Sequence, residues 1–449
     1  MMQMGRGYIV EESVEKYLTN LSAAAGSCET GLFIGQCSAQ RDFVVLAVQT
    51  PHRETEGATE GKRTPSSLDS IDVEWVAEHA RQVSRMLPGG VSILGLFLIA
   101  PPEVSKEAQN TLKKFVFAVD KSLSKNKLWD LSEDDVTERI TLHICSKTRK
   151  AICRTFDVKD PKCSAKPADW RYQSGISSSW PLITCNVQLD LQIPVTSENV
   201  DGSIKDQLRT WAKQIEAALC LINGKAVTDD SELLSGPKKG TKASQQQSFK
   251  AQILVSAEDT DASQMSSAVV HECSGSVCVR GTVHCRAYIH TNKPKTRHAA
   301  QALKRDVMNT VFSRVEMLLE DLLMSEGDLA CGQQDLPRRV FAPIFGSGLS
   351  VCDYIFPDES TADVAERFKE MLGFDVSERE MDIGVEAPTC CSVLGVEDGC
   401  DEATDNVPMQ SSAETVPKKE AAIQYAAGVV VAAAVALLAT VTSLLYLTD

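Results

Sequence analysis

Six residues whose side chains could bind a metal lie close together in one short stretch of the chain. They are His271, Glu272, Cys273, Cys278, His284 and Cys285. Thiolates and imidazoles at gaps of this size can hold zinc. Residues 277–289, however, alternate between apolar and polar types, and consecutive residues of a strand point to opposite faces. We therefore expect strand residues here and no metal, with a zinc site as the less favoured alternative.

Motifs that would place a catalytic or cofactor-binding centre do not occur in the sequence. There is no GxxxxGK[ST] phosphate loop, no HExxH, no GxSxG and no CxxC pair. The 15 cysteines and seven histidines can be paired on paper, but no cysteine has a local sequence typical of an activated thiolate. We expect no catalytic residue and no cofactor; a divergent metal- or thiol-dependent hydrolase is the alternative.

The composition is that of a folded, acidic protein. Apolar residues make up 43% and charged residues 24% of the chain, and the net charge is −15. The negative charge argues against a nucleic-acid partner, because surfaces that bind nucleic acid are normally basic. Scattered cysteines, odd in number, and the lack of an apolar leader in MMQMGRGYIVEE predict a reducing compartment.

The elements that would position any site form an α+β pattern. In the first part we predict helices at residues 10–19, 72–86 and 105–123, and strands at 29–36, 42–49, 91–100 and 138–145. In the second part we predict strands at residues 184–193, 277–289 and within 340–356, and helices at 208–221 and from Pro294 to about Met324. Residues 168–180, which include two of the five tryptophans, predict a loop packed on a domain surface.

These patterns predict two folded domains followed by a tether. We expect domains at residues 1–165 and 166–385, with a mobile polar insertion at 225–250. Residues 386–420 are polar and acidic and predict a disordered, flexible tether. Cys390 and Cys391 lie at its edge and could carry palmitate, but their distance from the C-terminal apolar run favours unmodified thiols.

The last part of the chain predicts a membrane anchor. Residues 421–447 carry no charge, and two residues follow them. About 20 apolar residues suffice to cross a bilayer, so we expect a transmembrane tail anchor. Lys418 and Lys419 precede it and place the bulk of the chain in the cytosol. The moderate hydrophobicity favours a thin bilayer such as that of the endoplasmic reticulum. The expected anchoring residues are Ile423, Val429, Val430, Val431, Leu437, Leu438, Leu444 and Leu445.

The first domain resembles the MPN fold, which includes the JAMM metalloproteases that cleave ubiquitin-like isopeptides. An early strand of that family reads ET-x-GxLxG, and residues 29–35 read ETGLFIG. A later strand of the family ends GWxHxHP. Residues 95–101, GLFLIAP, match it in length and in their end residues. Leu98 and Ala100 stand in place of the two histidines that bind zinc in the family.

Further positions of the MPN resemblance point the same way. The serine and aspartate of the family fall on Ala108 and Thr111, while Glu29 stands about where the general acid/base lies. Without imidazole and carboxylate ligands, no zinc-bound water can be activated. The resemblance therefore implies a pseudo-metalloprotease with vacant zinc positions at Leu98 and Ala100. Because MPN-like domains often pair with one another, it also implies a platform for a protein partner.

Several long stretches, in matching order, resemble the odorant response abnormal protein 4 family. They are GRGYIVEE, GLFIGQC, EHARQVSRMLPGG, ADWRYQSGISSSW, CRAYIHTNKPK and CDYIFPDES. The resemblance implies a membrane-anchored factor for folding, exit or trafficking of a subset of G-protein-coupled receptors. It also implies recruitment of the ubiquitin-fold-modifier protease to the endoplasmic reticulum. A receptor-specific chaperone without a protease partner is a further alternative.

Overall fold

The structure is a computed structural model of the 449-residue chain. It describes residues 6–24, 28–53, 68, 71–125, 127–132, 135–195, 200–227, 231–234, 246–255, 275–324, 333–386 and 389–395. The helices are α1 (Glu12–Ala24), α2 (Val73–Arg85), α3 (Ser105–Lys125), α4 (Val200–Ala217), α5 (Thr296–Met324) and α6 (Thr361–Leu372).

The strands follow the same chain order. The first eight are β1 (Gly7–Glu11), β2 (Glu29–Gln36), β3 (Arg41–Gln49), β4 (Ser92–Ala100), β5 (Glu138–Cys145), β6 (Ala151–Asp157), β7 (Lys166–Pro167) and β8 (Asp169–Gln173). The others are β9 (Leu182–Val195), β10 (Leu219–Ile222), β11 (Lys225–Ala226), β12 (Ser248–Leu254), β13 (Gly275–Tyr288), β14 (Gln333–Leu336), β15 (Arg338–Pro343), β16 (Ser350–Ile355) and β17 (Thr389–Gly395). The mixed helix and strand content confirms the α and β elements expected from the sequence.

The first sheet has the order β7-β6-β5-β4-β2-β3-β1-β8. Its two outermost strands are consecutive in the chain, since only Ala168 separates β7 from β8, and the Ala168 amide donates to the Cys153 carbonyl of β6. One continuous stretch therefore pairs with both edges, and the sheet closes on itself. Large apolar side chains fill its inner face, among them Tyr8, Phe33 and Phe97. Side chains of α2 and α3 cover the outer face.

Local sequence explains how α2 and α6 begin and end. Asp72 accepts hydrogen bonds from the amides of Glu74 and Trp75, which satisfies the first turn of α2. Ser360 and Asp363 form a capping box at the start of α6. Helix α6 ends at Gly373, whose φ of 72° is the left-handed conformation that glycine adopts readily.

The second sheet has the order β11-β10-β12-β9-β13-β17-β14. Strands β9 and β13 pair over 14 residues, from Gly275 opposite Val195 to Tyr288 opposite Leu182. The apolar stripe of α5, which includes Leu303, Val307 and Val311, packs with the buried side chains of these strands. This sheet and helix form the second hydrophobic core.

The tryptophan-rich stretch 168–180 is built differently from the predicted surface loop. Residues 169–173 form β8, and Trp170 packs inside the closed sheet with its ring centroid 5.0 Å from that of Phe33. Trp180 has 0% of its surface exposed and donates from Nε1 to the Ile176 carbonyl. Trp180 is therefore a core residue, because aromatic bulk of this size is well buried when its N–H finds a partner. Trp170 is half-buried against the aromatic side chains of the closed sheet.

The predicted boundaries at 165 and 385 do not coincide with the packing units. The first sheet takes β8 from beyond residue 165. The hairpin β15–β16 and helix α6 share one apolar cluster with α2 and β4, which we call the first core. Contacts join residues 1–396 into one compact unit. The described ends of the predicted insertion form β11 and the start of β12.

The first residues of the predicted tether belong to the folded part of the chain. Residues 389–395 form β17, which pairs with β13 and β14 in the second sheet. Residues 396–449, with the rest of the tether and the predicted anchor, lie outside the described residues. Within the part of the chain that the structure describes, no helix combines the length and apolar character needed to cross a bilayer.

Candidate functional site

The two positions that the MPN resemblance marks as vacant zinc positions, Leu98 and Ala100, lie near the end of β4, which runs between β2 and β5. Leu98 and Ala100 both have 0% of their surface exposed. They belong to the apolar cluster that also contains Ala108 and Leu112 of α3. Neither side chain carries a metal-donor atom. The place is therefore filled by packed hydrocarbon, which stabilises the contact between the sheet and α3.

Glu29 does not join these two positions. It pairs with Ile99, so strand alternation places it on the face opposite to Leu98 and Ala100. Its carboxylate is buried and accepts a hydrogen bond of 2.6 Å from Nε2 of Gln49. Nε2 of His52 lies 3.4 Å from the same carboxylate oxygen. The carboxylate therefore has local partners at the end of the closed sheet.

The two α3 positions that match the serine and aspartate of the MPN pattern are Ala108 and Thr111, and both make contacts typical of a packed helix. Ala108 is fully buried, and Thr111 is half-buried on the next turn. The Thr111 hydroxyl donates to the Glu107 carbonyl at 3.3 Å. A hydroxyl that bonds back to its own helix in this way is a common arrangement.

Sequence reasoning missed His143 and Cys145, which lie beside the vacant positions. Parallel pairing sets His143 opposite Leu98 and Cys145 opposite Ala100. Burial lowers the pKa of His143, whereas a hydrogen bond from the Thr148 hydroxyl lowers the pKa of Cys145. The two residues are two positions apart in the strand, so both side chains lie on the same face of β5. The aligned endings LFLIAP and TLHIC were the signal that could have revealed them.

The metal-like sequence cluster is divided in the structure. His284 and Cys285 are consecutive in β13, and Nδ1 of His284 lies 2.7 Å from Oδ1 of Asn186. Cys285 is buried in the second core opposite Cys185, and burial raises its pKa well above the usual value. His271, Glu272 and Cys273 lie outside the described residues. Across the described ranges, no three His, Cys, Asp or Glu side chains are grouped closely enough to hold a metal ion.

The stretch LPGG, residues 87–90, joins the two sheets. Amides and carbonyls of Gly89 pair with β13, with the Gly89 amide 2.9 Å from the Arg286 carbonyl. Gly90 has a φ of 80°, and a Cβ there would meet the Tyr288 carbonyl oxygen at 2.2 Å. Gln36 of β2 donates from Nε2 to the carbonyls of Gly90 and Tyr288. The glycines are therefore required for close approach of two backbones.

A buried charge network fixes the segment that precedes β17. Arg339 makes a two-point ion pair with Asp306, with N–O distances of 2.7 and 2.9 Å. Glu386 accepts hydrogen bonds from Nη2 of Arg314, from the amide of Arg339 at 2.8 Å and from the amide of His284 at 2.7 Å. Two cations and two anions thus balance inside the protein. This balance is needed, because an unpaired buried charge is costly.

The fold and these positions define a mixed α/β protein in which the zinc positions suggested by resemblance are hydrophobic core. The chain belongs to the ODR4-like family: the model for odorant response abnormal 4-like proteins matches residues 31–383.

Curated relatives match most of the chain. It is 43% identical to the human "Protein odr-4 homolog", covering 99% of this chain and 100% of that protein. It is 21% identical to the Caenorhabditis elegans "Odorant response abnormal protein 4", covering 78% of this chain and 73% of the relative. Among solved structures, C. elegans UfSP is similar with a TM-score of 0.41 and 9% identity, covering 83% of this chain and 57% of that one.

Proposed function

We propose that this protein is a non-catalytic, tail-anchored adaptor of the endoplasmic reticulum membrane that promotes folding, exit or trafficking of a subset of G-protein-coupled receptors. The observation that carries the non-catalytic part is the full burial of Leu98 and Ala100 in an apolar cluster. The name of the C. elegans relative, which refers to odorant response, supports the link to receptors.

The proposed anchor is the apolar run at 421–447, with the bulk of the chain in the cytosol. The proposed partner is the ubiquitin-fold-modifier protease, which the first closed sheet would recruit by pairing of MPN-like domains. Recruitment needs a rigid platform rather than an active centre. The closed first sheet, with its filled inner face, is suited to that task.

Deletion of residues 421–449 tests the adaptor role. Both the protein and its protease partner should move from the membrane to the soluble fraction of cells. A matched control replaces the deleted part with an unrelated tail anchor, which should return both proteins to the membrane. If the protease stays on the membrane after the deletion, the recruiting role is wrong.

The alternative, a divergent metal- or thiol-dependent hydrolase, is decided by metal analysis and activity assays on the purified protein. Stoichiometric zinc that is lost when His271, Cys278 or Cys285 is replaced would support a metal enzyme. Cleavage of a ubiquitin-like fusion that is lost in Cys145→Ser would support a thiol enzyme, because Cys145 is the thiol beside the vacant positions.

A further inference from the structure

The turn between β15 and β16 exposes a phenylalanine completely. Phe345 has 100% of its surface exposed, whereas Leu219, the next most exposed of the described large apolar side chains, has 51%. The neighbours Ile344 and Leu349 are buried in the first core. A turn whose flanking apolar residues point inward therefore directs one aromatic ring entirely into solvent. Covering this ring would be favourable, because it would remove apolar surface from water.

The turn is held firmly in this arrangement. The Ile344 amide donates to the Leu349 carbonyl at 2.9 Å, and the Ser347 amide donates to the Ile344 carbonyl at 3.1 Å. The Ser347 hydroxyl donates to the Ser177 hydroxyl at 2.9 Å, which ties the turn to the loop after β8. Gly346 adopts a φ of 74°. The exposure of Phe345 is thus a property of an ordered turn.

Two neighbouring segments beside Phe345 contain no charged residues, although the carboxylates of Glu11 and Glu12 accept hydrogen bonds from residues 174–176 of one of them. Residues 340–352 and 172–184 contain no Asp, Glu, Lys or Arg, although 24% of the chain is charged. Gln246 joins the two segments, because its Nε2 donates to the Trp180 carbonyl at 2.8 Å and to the Gly348 carbonyl at 2.7 Å. Glycine and serine dominate the exposed positions beside the ring.

We infer that Phe345 docks the folded body against the lipid surface of the membrane in which the C-terminal run is anchored. This inference rests on the proposed anchor. Aromatic rings are favoured at the boundary between headgroups and hydrocarbon, and a neutral glycine–serine rim does not oppose entry there. The charges bonded to these segments are the carboxylates of Glu11 and Glu12, so a zwitterionic lipid surface fits them better than an anionic one.

The length of chain beyond the last strand supports this occupant. The 24 residues from Glu397 to Glu420 lie between the compact unit and the apolar run. Even fully extended, they would hold the body within about 85 Å of the bilayer. Such tethering keeps the local concentration of lipid surface high, so that one inserted ring is enough to bias the orientation of the body.

A photo-crosslinking residue at position 345 tests the inference in the full chain. Benzoylphenylalanine replaces Phe345 in one variant and Leu131, which is 42% exposed, in a matched control. Each protein is reconstituted into phosphatidylcholine vesicles, recovered by flotation, irradiated and analysed by mass spectrometry. We expect a phospholipid adduct in the variant with the crosslinker at position 345 and no such adduct in the variant with the crosslinker at position 131. Equal thermal unfolding temperatures of the variants and the natural protein would show that both substitutions leave the fold intact.

Each outcome separates this inference from the proposed function. Flotation without a lipid adduct at position 345 overturns the docking of Phe345 and leaves the anchor standing. Equal adducts at both positions overturn it too, because the contact would then lack any preference for the turn. Irradiation in cells that yields a protein adduct at position 345, with no lipid adduct, shows that the occupant is a protein. Failure of the natural chain to float removes the anchor and this inference together.

Discussion

Glu386 places both carboxylate oxygens 2.6 Å from Nη2 of Arg314, and neither side chain exposes more than 1% of its surface. The guanidinium carbon of Arg314 lies 5.6 Å from the centroid of the Tyr354 ring, which adds a cation–π contact. Glu386 follows the last residue of the matched family region, residue 383. The folded unit therefore depends on a residue that lies beyond that region.

Replacing this carboxylate should destabilise the protein strongly. Glu386→Gln keeps the size of the side chain but leaves Arg314 buried without its counter-charge. We expect a loss of about 3–5 kcal/mol in the free energy of unfolding, measured by urea titration. The control is Asp382→Asn, because Asp382 pairs with Arg286 but is 47% exposed. That change should cost at most about 1 kcal/mol. Equal losses in the two variants would show that the burial of Glu386 is unimportant.

The junction glycine offers a second test. Gly90→Ala would combine strain at a φ of 80° with a contact of 2.2 Å between the new Cβ and the Tyr288 carbonyl oxygen. Gly224→Ala is the matched control, because Gly224 has a φ of 75° but no atom within 4 Å of the added Cβ. The control should lose about 1–2 kcal/mol from backbone strain alone. Gly90→Ala should lose clearly more in the same urea titration, and a loss no larger than that of the control would mean that the two sheets can separate at little cost.

The elements were predictable where the local pattern was strong. Strands 29–36 and 138–145 have the predicted bounds, because continuous apolar runs with flanking breaks identify buried strands. The return of β15–β16 to the first core was not predictable, since the contact between the Cys352 amide and the Met86 carbonyl joins residues distant in sequence. Nothing local in GVEAPTCC distinguishes the buried Glu386 from an acid in a tether.

In the candidate site, too, some features were predictable from local sequence and others were not. That Leu98 and Ala100 cannot bind a metal was readable from their residue types. Their burial agrees with the apolar run of β4. The neighbouring His143 and Cys145 belong to a strand that follows β4 by about 40 residues. Their positions depend on the register of a parallel pair, which single-sequence patterns do not specify.

Restoring both histidines on β4 should not create an enzyme. In the double variant Leu98→His, Ala100→His, the serine and aspartate positions remain Ala108 and Thr111, and Glu29 stays on the opposite face. Two imidazoles in an apolar cluster should instead cost about 2 kcal/mol or more of stability. The measurement is cleavage of a ubiquitin-like isopeptide substrate with added zinc, beside the conservative control Leu98→Met. Zinc-dependent cleavage by the double variant would show that the vacant site has been misplaced.

Stability should fall with acid in a way that depends on His79 of α2. Its Nε2–H donates to the Met371 carbonyl of α6 at 3.0 Å, and its Nδ1 lies 3.3 Å from the Thr50 hydroxyl. Burial lowers the pKa of His79 to about 4. In the unfolded chain the pKa of His79 is near 6.5, so between pH 6.5 and pH 4 the unfolded state binds a proton that the folded state does not bind. The contribution of neutral His79 to the free energy of unfolding is fully present above pH 6.5 and is lost as pH falls towards 4. From pH 7 to pH 5 this histidine should cost about 2 kcal/mol.

Urea titrations at the two pH values should show a correspondingly smaller loss for His79→Gln. His290, whose pKa burial also lowers to about 4, provides the parallel variant His290→Gln with an independent effect of the same sign. An unchanged pH dependence in His79→Gln would show that its imidazole is not held neutral between the two helices.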